Sequence, residues 1–305
     1  MPNRSYRHDV FIEDQSLRDG LQMESRIFSL EEKLTLYRNL KRAGIPRIQV
    51  GSFVHPEIVP QMADTDSLIR AIGKETDCTL SALVLNEKGL ERALSCGVPH
   101  VSMSVSVSDT HSRKNAGKPA SEALESMSRL SESALQSGIQ LRAGLQCVFG
   151  CVYEGAIAES AVLQAAEKMA ESGVEEINLA DTTGMATPHA VRRMIHTLTQ
   201  EFPHMTLSLH LHDTRGLGLA NLFSGYEAGV RSFDVCTGGL GGCPFVKGAA
   251  GNVAAEDVVN LFESMGIKTG IDVKLLCDTV DLLEKILGRR LPGHMKGVME
   301  NRLDT

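Results

Sequence analysis

Residues 206–229, "TLSLHLHDTRGLGLANLFSGYEAG", change period part way along. From Thr206 to Asp213 apolar and polar residues alternate, which places successive side chains on opposite faces of a strand. From Leu217 to Gly229 the spacing becomes that of an amphipathic helix. The segment therefore reads as one βα unit. It also poses a question. His210 and His212 must point to the same side of a strand that otherwise reads as core.

The same unit recurs along the chain. Strand patterns lie near 10–16, 47–53, 78–85, 100–108, 140–149, 175–182, 206–213 and 232–238. Helical patterns lie between them, among them 29–43, 120–137, 157–172, 187–202 and 217–229. Ser29 followed by Glu32 is a capping box. Gly44, Gly138, Gly173 and Gly229 each stand just past a helical pattern, where a left-handed residue is wanted. Eight strands, each followed by a helix, predict an α/β chain folded as a (β/α)8 TIM barrel, with a doubly wound open sheet as the competing architecture. No linker divides the 305 residues. One domain is expected over 1–305: a barrel from about 9 to 270 and a C-terminal helical extension over 271–305.

Composition narrows the partners. The chain is 42% hydrophobic and 23% charged, as globular proteins are. Its net charge is -7 with no basic block, which argues against nucleic acid and anionic membrane as partners. No apolar run approaches the ~18 residues of a membrane-spanning helix. The opening "MPNRSYRHDVFIEDQS" has no apolar stretch, so no secretory signal is expected. Seven cysteines without paired spacing fit a reducing, cytoplasmic setting.

In such a barrel, chemistry sits where the strands end and the βα loops begin. Strand one ends in Arg18 and Asp19, strand six in Asp181 and Thr182, and strand seven in His210, His212 and Asp213. After strand eight comes "GGLGGCPFVKGAAGN", with Cys243 and Asn252. Two imidazoles from His210 and His212, a carboxylate from Asp19 and an amide oxygen from Asn252 suit a divalent ion. Mg²⁺ or Mn²⁺ fits first, with Zn²⁺ or Co²⁺ as alternatives. The bland alternative for the histidines is a core pair bonded to backbone carbonyls. Arg18 should diverge from its neighbour Asp19. It is either a stabiliser of a developing oxyanion or a structural ion pair. Cys243 lies among Gly238, Gly239, Gly241, Gly242 and Gly248, in a loop able to close and carry a thiol to a ligand; otherwise it is a small residue in a turn. Cys147 and Cys151 read as packing residues. "RGLGLAN" (215–221) is a weak phosphate-loop candidate whose glycines otherwise serve a tight turn.

Taken together, "RDGLQ", "GSFVHPEIVPQMAD", "GCVYEG", "LADTTGMATP", "HLHDTRGLGLAN" and "GGLGGCPFVKGAAGN" resemble the 3-hydroxy-3-methylglutaryl-CoA lyase family in order and interval, from about residue 9 to 270. The resemblance implies a metal-dependent TIM barrel that cleaves this acyl-CoA to acetyl-CoA and acetoacetate, working as a homo-oligomer, a dimer. It implies that Asp19, His210, His212 and Asn252 hold the ion and that Arg18 stabilises the enolate. It further implies that Cys243 is a mobile catalytic thiol and that Asp181 assists proton movement. The first base is left open between Asp181 and His210. Two positions depart from the family pattern. Gln49 stands where the lyases carry glutamate, and "DQSLRDG" is nearer to the acetyl-CoA condensing enzymes of the same superfamily. Alternative readings are therefore a lyase for a related hydroxyacyl-CoA such as citramalyl-CoA, a transferase joining acetyl-CoA to a 2-oxo acid, and a barrel that keeps the ion without catalysis.

Overall fold

All eight predicted strands are present and close on themselves. They are β1 (Phe11–Asp14), β2 (Arg47–Ser52), β3 (Thr79–Leu83), β4 (His100–Ser106), β5 (Gln140–Gln146), β6 (Glu176–Ala180), β7 (Thr206–His210) and β8 (Ser232–Val235). Each is parallel to its neighbours in the order β1 to β8, and β8 pairs back onto β1 from Phe11↔Ser232 to Asp14↔Val235. The open-sheet alternative is thereby excluded. The computed structural model describes residues 8–243 and 246–303, the side chains of 243, 246–250 and 301–303 excepted.

Helices cover the outside of the barrel: α1 (Leu30–Arg42), α2 (Thr65–Ile72), α3 (Glu87–Cys96), α4 (Asp109–Ala116), α5 (Ala120–Gln136), α6 (Glu159–Glu171), α7 (Pro188–Glu201), α8 (Gly218–Glu227) and α9 (Ala255–Ser264). α10 (Val273–Leu287) and α11 (Met295–Leu303) form the expected helical extension. The α1 capping box is made, with Glu32 N–H donating to Ser29 Oγ at 3.3 Å and Ser29 N–H to Glu32 Oε2 at 2.8 Å. The predicted strands were drawn too long at their C-terminal ends, because there the chain has already left the sheet for the functional loops. The stretch "SDTHSRKN" after β4 is mostly the helix α4. Its Ser108 cap accepts from His111 N–H at 3.2 Å, which starts the helix directly after the strand. No helix among the described residues is long and apolar enough to cross a membrane.

The apolar core lies between strands and helices, around fully buried Ile48, Phe53, Phe233 and Phe262. The inside of the barrel differs from the branched apolar layers usual in this fold. Arg142 Nη1 donates to Asp234 Oδ1 at 2.7 Å and Nη2 to Glu13 Oε1 at 3.1 Å. Arg47 donates to Glu13 and, at 3.0 Å, to Glu176. Burial pushes the Glu13 carboxyl up, although Arg142 and Arg47 pull the other way. Such buried ion networks add little net stability over an apolar core, since desolvation offsets the attraction. Their value here is that they fix the orientation of polar side chains below the strand ends.

Candidate active site

The site is built first by the turn after β1. Residues Ser16–Gly20 form one π-helical turn, with the N–H of Gly20 bonded to Gln15 O at 3.2 Å. Asp14 roots this turn. Its carboxylate accepts from Ser16 N–H (2.8 Å), Thr237 N–H (3.1 Å) and Thr237 Oγ1–H (2.8 Å), so the ends of β1 and β8 are tied together. Gly20 is required by a close approach, since a Cβ there would lie 2.9 Å from Leu240 Cδ2. The wide turn also corrects one expectation. Arg18 and Asp19 do not diverge; they form an ion pair at the barrel mouth. The π turn adds a residue to the arc, so two consecutive side chains can reach the same opening.

The end of β7 supplies His210, and His212 follows two residues further on. They share a face, as the alternation required, with ring centroids 5.1 Å apart, while Leu209 and Leu211 are buried. The donor atoms of Asp19, His210 and His212 all lie within 4.8 Å of one another. His210 Nδ1 lies 3.2 Å from Asp234 Oδ2, on the neighbouring strand, where the two residues are register partners. With its proton on Nδ1 toward that carboxylate, as its partners assign it, His210 presents the Nε2 lone pair to the mouth. There His210 Nε2 stands 3.1 Å from His212 Nε2, and His212 Nδ1 is buried with no hydrogen-bond partner. Burial and the nearby His210 lower the His212 pKa to about 4, which keeps this imidazole neutral. Burial would raise the Asp19 carboxyl, but Arg18, His210 and His212 hold it well below the usual range. A neutral His212 imidazole beside an ionised Asp19 carboxylate is the state in which these groups can bind a divalent cation. The donor set fits a metal ion and is poorly explained as a core pair bonded to backbone carbonyls.

Asn252 is brought to the same place. Its Nδ2 donates to Asp19 Oδ2 at 2.7 Å and to Leu240 O at 3.2 Å, so its donor end faces the cluster and restrains Asp19. Asp181 is not one of the three grouped donors. Oδ1 accepts from Met185 N–H (2.8 Å) and Ala186 N–H (3.0 Å), which holds the loop after β6, while Oδ2 is buried without a partner. Burial raises its pKa to about 6. Its chain neighbours Ala180 and Thr182 line the central cavity. Cys243 belongs by its backbone to the short strand β9 (Gly242–Cys243), paired with β10 (Val246–Ala250); its side chain lies outside the described residues. Cys147 and Cys151 are fully buried, as packing residues should be. The "RGLGLAN" amides do not form a phosphate loop, because Asp213 already accepts from Gly218 N–H at 2.6 Å.

Arg18, Asp19, His210 and His212 line one cavity of about 630 Å³. Several residues that sequence reasoning passed over complete it: Gln15, Ser102, Arg142, Asn178 and Asp234. The available signal was a lone charged residue at an inward position of an apolar strand, as in "SFDV" and "QLRAGL". Burial would raise the Asp234 carboxyl, but Arg142 and the bond to His210 hold it low, so it stays ionised behind the histidine. Asp234→Asn is therefore expected to weaken Mn²⁺ binding about 10- to 100-fold, the usual cost of losing the carboxylate behind a ligating histidine. Isothermal titration would show this, and an unchanged affinity would refute the orienting role.

Comparison with known proteins agrees with this geometry. The HMGL-like family model matches residues 9–283. The chain is 38% identical over 287 residues to hydroxymethylglutaryl-CoA lyase YngG of Bacillus subtilis, covering 94% of this chain and 96% of that one. It is 39% identical over 293 residues to the (R)-citramalyl-CoA lyase of Chloroflexus aurantiacus, covering 93% and 92%. Among solved structures, an HMG-CoA lyase from Acinetobacter baumannii in complex with coenzyme A and 3-methylmalate superposes with a TM-score of 0.88 at 36% identity, covering 94% of this chain and 93% of that one. By the extent of these matches, this chain belongs to the HMGL-like family of lyases.

Proposed function

We propose that this protein cleaves 3-hydroxy-3-methylglutaryl-CoA, or a closely related 3-hydroxyacyl-CoA, to acetyl-CoA and an oxo acid, acetoacetate in the first case. The observation that carries the reading is the meeting of Asp19, His210 and His212 beside Arg18 in one cavity. In the reaction the C3 hydroxyl loses its proton and the C3–O electrons form a carbonyl. The C2–C3 bond breaks toward C2, which leaves the enolate of acetyl-CoA until a proton reaches C2. Asp19, His210 and His212 would hold a divalent ion, Mg²⁺ or Mn²⁺, with Asn252 beside them. When bound, that ion supplies Lewis acidity toward the substrate's oxygens. Arg18 contributes a guanidinium that receives the negative charge gathering on the thioester oxygen. Asp234 keeps His210 in one tautomer, and Asp14 and Asn252 keep Arg18 and Asp19 at the mouth. The thiol of Cys243, on the glycine-rich loop, serves as the acid that protonates C2. Asp181 acts as a positioning residue for the β6 loop.

One observation favours a second acyl group. The chain is as similar to a citramalyl-CoA lyase as to a hydroxymethylglutaryl-CoA lyase. Purified protein supplied with Mg²⁺ or Mn²⁺ is tested on both thioesters, and on acetyl-CoA with 2-oxo acids. Release of acetyl-CoA from one thioester identifies the acyl group. Consumption of acetyl-CoA with a 2-oxo acid and release of free CoA, which a lyase running in reverse does not produce, or no turnover at all, would overturn the lyase reading.

A further inference from the structure

Arg18 is gripped on three sides. Its Nε donates to Gln49 Oε1, its Nη2 to Gln15 Oε1 and its Nη1 to Asp19 Oδ1. Both glutamines are buried inside the barrel. Each has its amide oriented from behind. Gln15 Nε2 donates to Asp234 Oδ2 at 2.6 Å. Gln49 Nε2 donates to Ser102 Oγ at 3.0 Å and lies 3.4 Å from Glu13 Oε1. Ionised Asp234 only accepts, so the Gln15 NH₂ must face it, and a guanidinium only donates, so both amide oxygens are turned to Arg18. Local structure supports both positions. Gln15 immediately precedes the π turn, and β2 carries a bulge between Gln49 and Gly51. Bulges of this kind aim a side chain differently from its regular-strand direction.

A guanidinium has five N–H bonds. Three are used here, which leaves one on each terminal nitrogen of a residue that lines the cavity. Two of the three holders are neutral, so they fix the fork without cancelling its charge. We propose that Gln15 and Gln49 form a neutral amide clamp that positions Arg18 while leaving its positive charge available to the reacting substrate. This inference rests on the lyase reading and gives the glutamine at 49 a physical reason. In this chain a glutamate there would place a carboxylate against Glu13 and would lose the donation to Ser102.

The test is a double-mutant cycle with an independent spectroscopic arm. Gln15→Met and Gln49→Met are made in the wild type and in Arg18→Met. Each single variant is expected to lower kcat about 10- to 100-fold with KM nearly unchanged, as a misplaced reacting group does. In the Arg18→Met background the same changes should have almost no further effect, because the glutamines act through that arginine. Gln49→Glu should also lower kcat, since in this chain the new carboxylate meets Glu13 and loses the donation to Ser102 that holds the side chain in place. In the second arm, the Arg18 Nε–H resonance, assigned by its loss in Arg18→Met, should exchange slowly in wild type and at least about tenfold faster in Gln49→Met. Where a methionine variant fails to fold, Ser102→Ala frees the Gln49 amide and should accelerate the same exchange. Losses that multiply with Arg18→Met, or an Nε–H exchange rate indifferent to Gln49, would overturn the clamp. A wild type that cleaves no thioester would overturn the lyase reading instead, and the exchange arm would still decide on the clamp.

Discussion

His212→Ala is expected to leave less than about 1% of wild-type turnover and to weaken Mn²⁺ binding by more than about 100-fold, beyond the cost of losing a group behind a ligand. The reasoning is geometric. His212 Nε2 faces His210 Nε2 at 3.1 Å, and Asp19 closes the third side. Removing one imidazole leaves two donors, too few to compete with water for the ion. The barrel itself should survive, because His212 lies beyond the last residue of β7 and makes no strand-to-strand ladder bond within the barrel. Metal content after gel filtration, Mn²⁺ titration and thermal unfolding, measured together, check this. A variant with full activity and unchanged metal content would show that the three side chains are not a metal site.

Arg18→Met should lower kcat by about 10²–10³-fold, the range seen when one preorganised oxyanion donor is removed. KM should change little, because the interaction strengthens only as negative charge develops on the substrate. Arg18→Lys should fall between the two, since lysine keeps the charge but lacks the fork that Gln15, Gln49 and Asp19 engage. Arg18 also helps keep Asp19 ionised, so metal affinity must be measured in parallel. A fall in kcat with metal saturated identifies the direct role. A fall in thermal stability with kcat preserved would return Arg18 to the structural ion pair that its sequence context also allowed.

Much of the site could be read before the fold was known. The shared face of His210 and His212 follows from the two-residue period of a strand, and that period survives any packing. The place of Asp19, His210, His212 and Asn252 at strand ends follows from the βα repeat. Their meeting could be proposed because closure of a barrel brings all strand ends to one rim. Reading Arg18 and Asp19 as divergent failed for a local reason. A π turn has no signature as clear as a two-residue or a 3.6-residue period, and this one is held by Asp14 reaching Thr237, 223 positions away in sequence.

What the amino-acid sequence determined alone was the alternation of eight strands with helices, and with it which residues stand at the barrel mouth. These are consequences of periodicity and capping, which act within a few residues. What only the tertiary structure decided was how those residues are held. Asp234 behind His210, the two glutamines around Arg18, and the Arg142–Glu13–Asp234 network below them join strands far apart in the chain. Such contacts depend on strand register and barrel closure. A buried charge leaves no periodic trace in sequence; its partner is chosen by whichever opposite charge the closed barrel brings within reach.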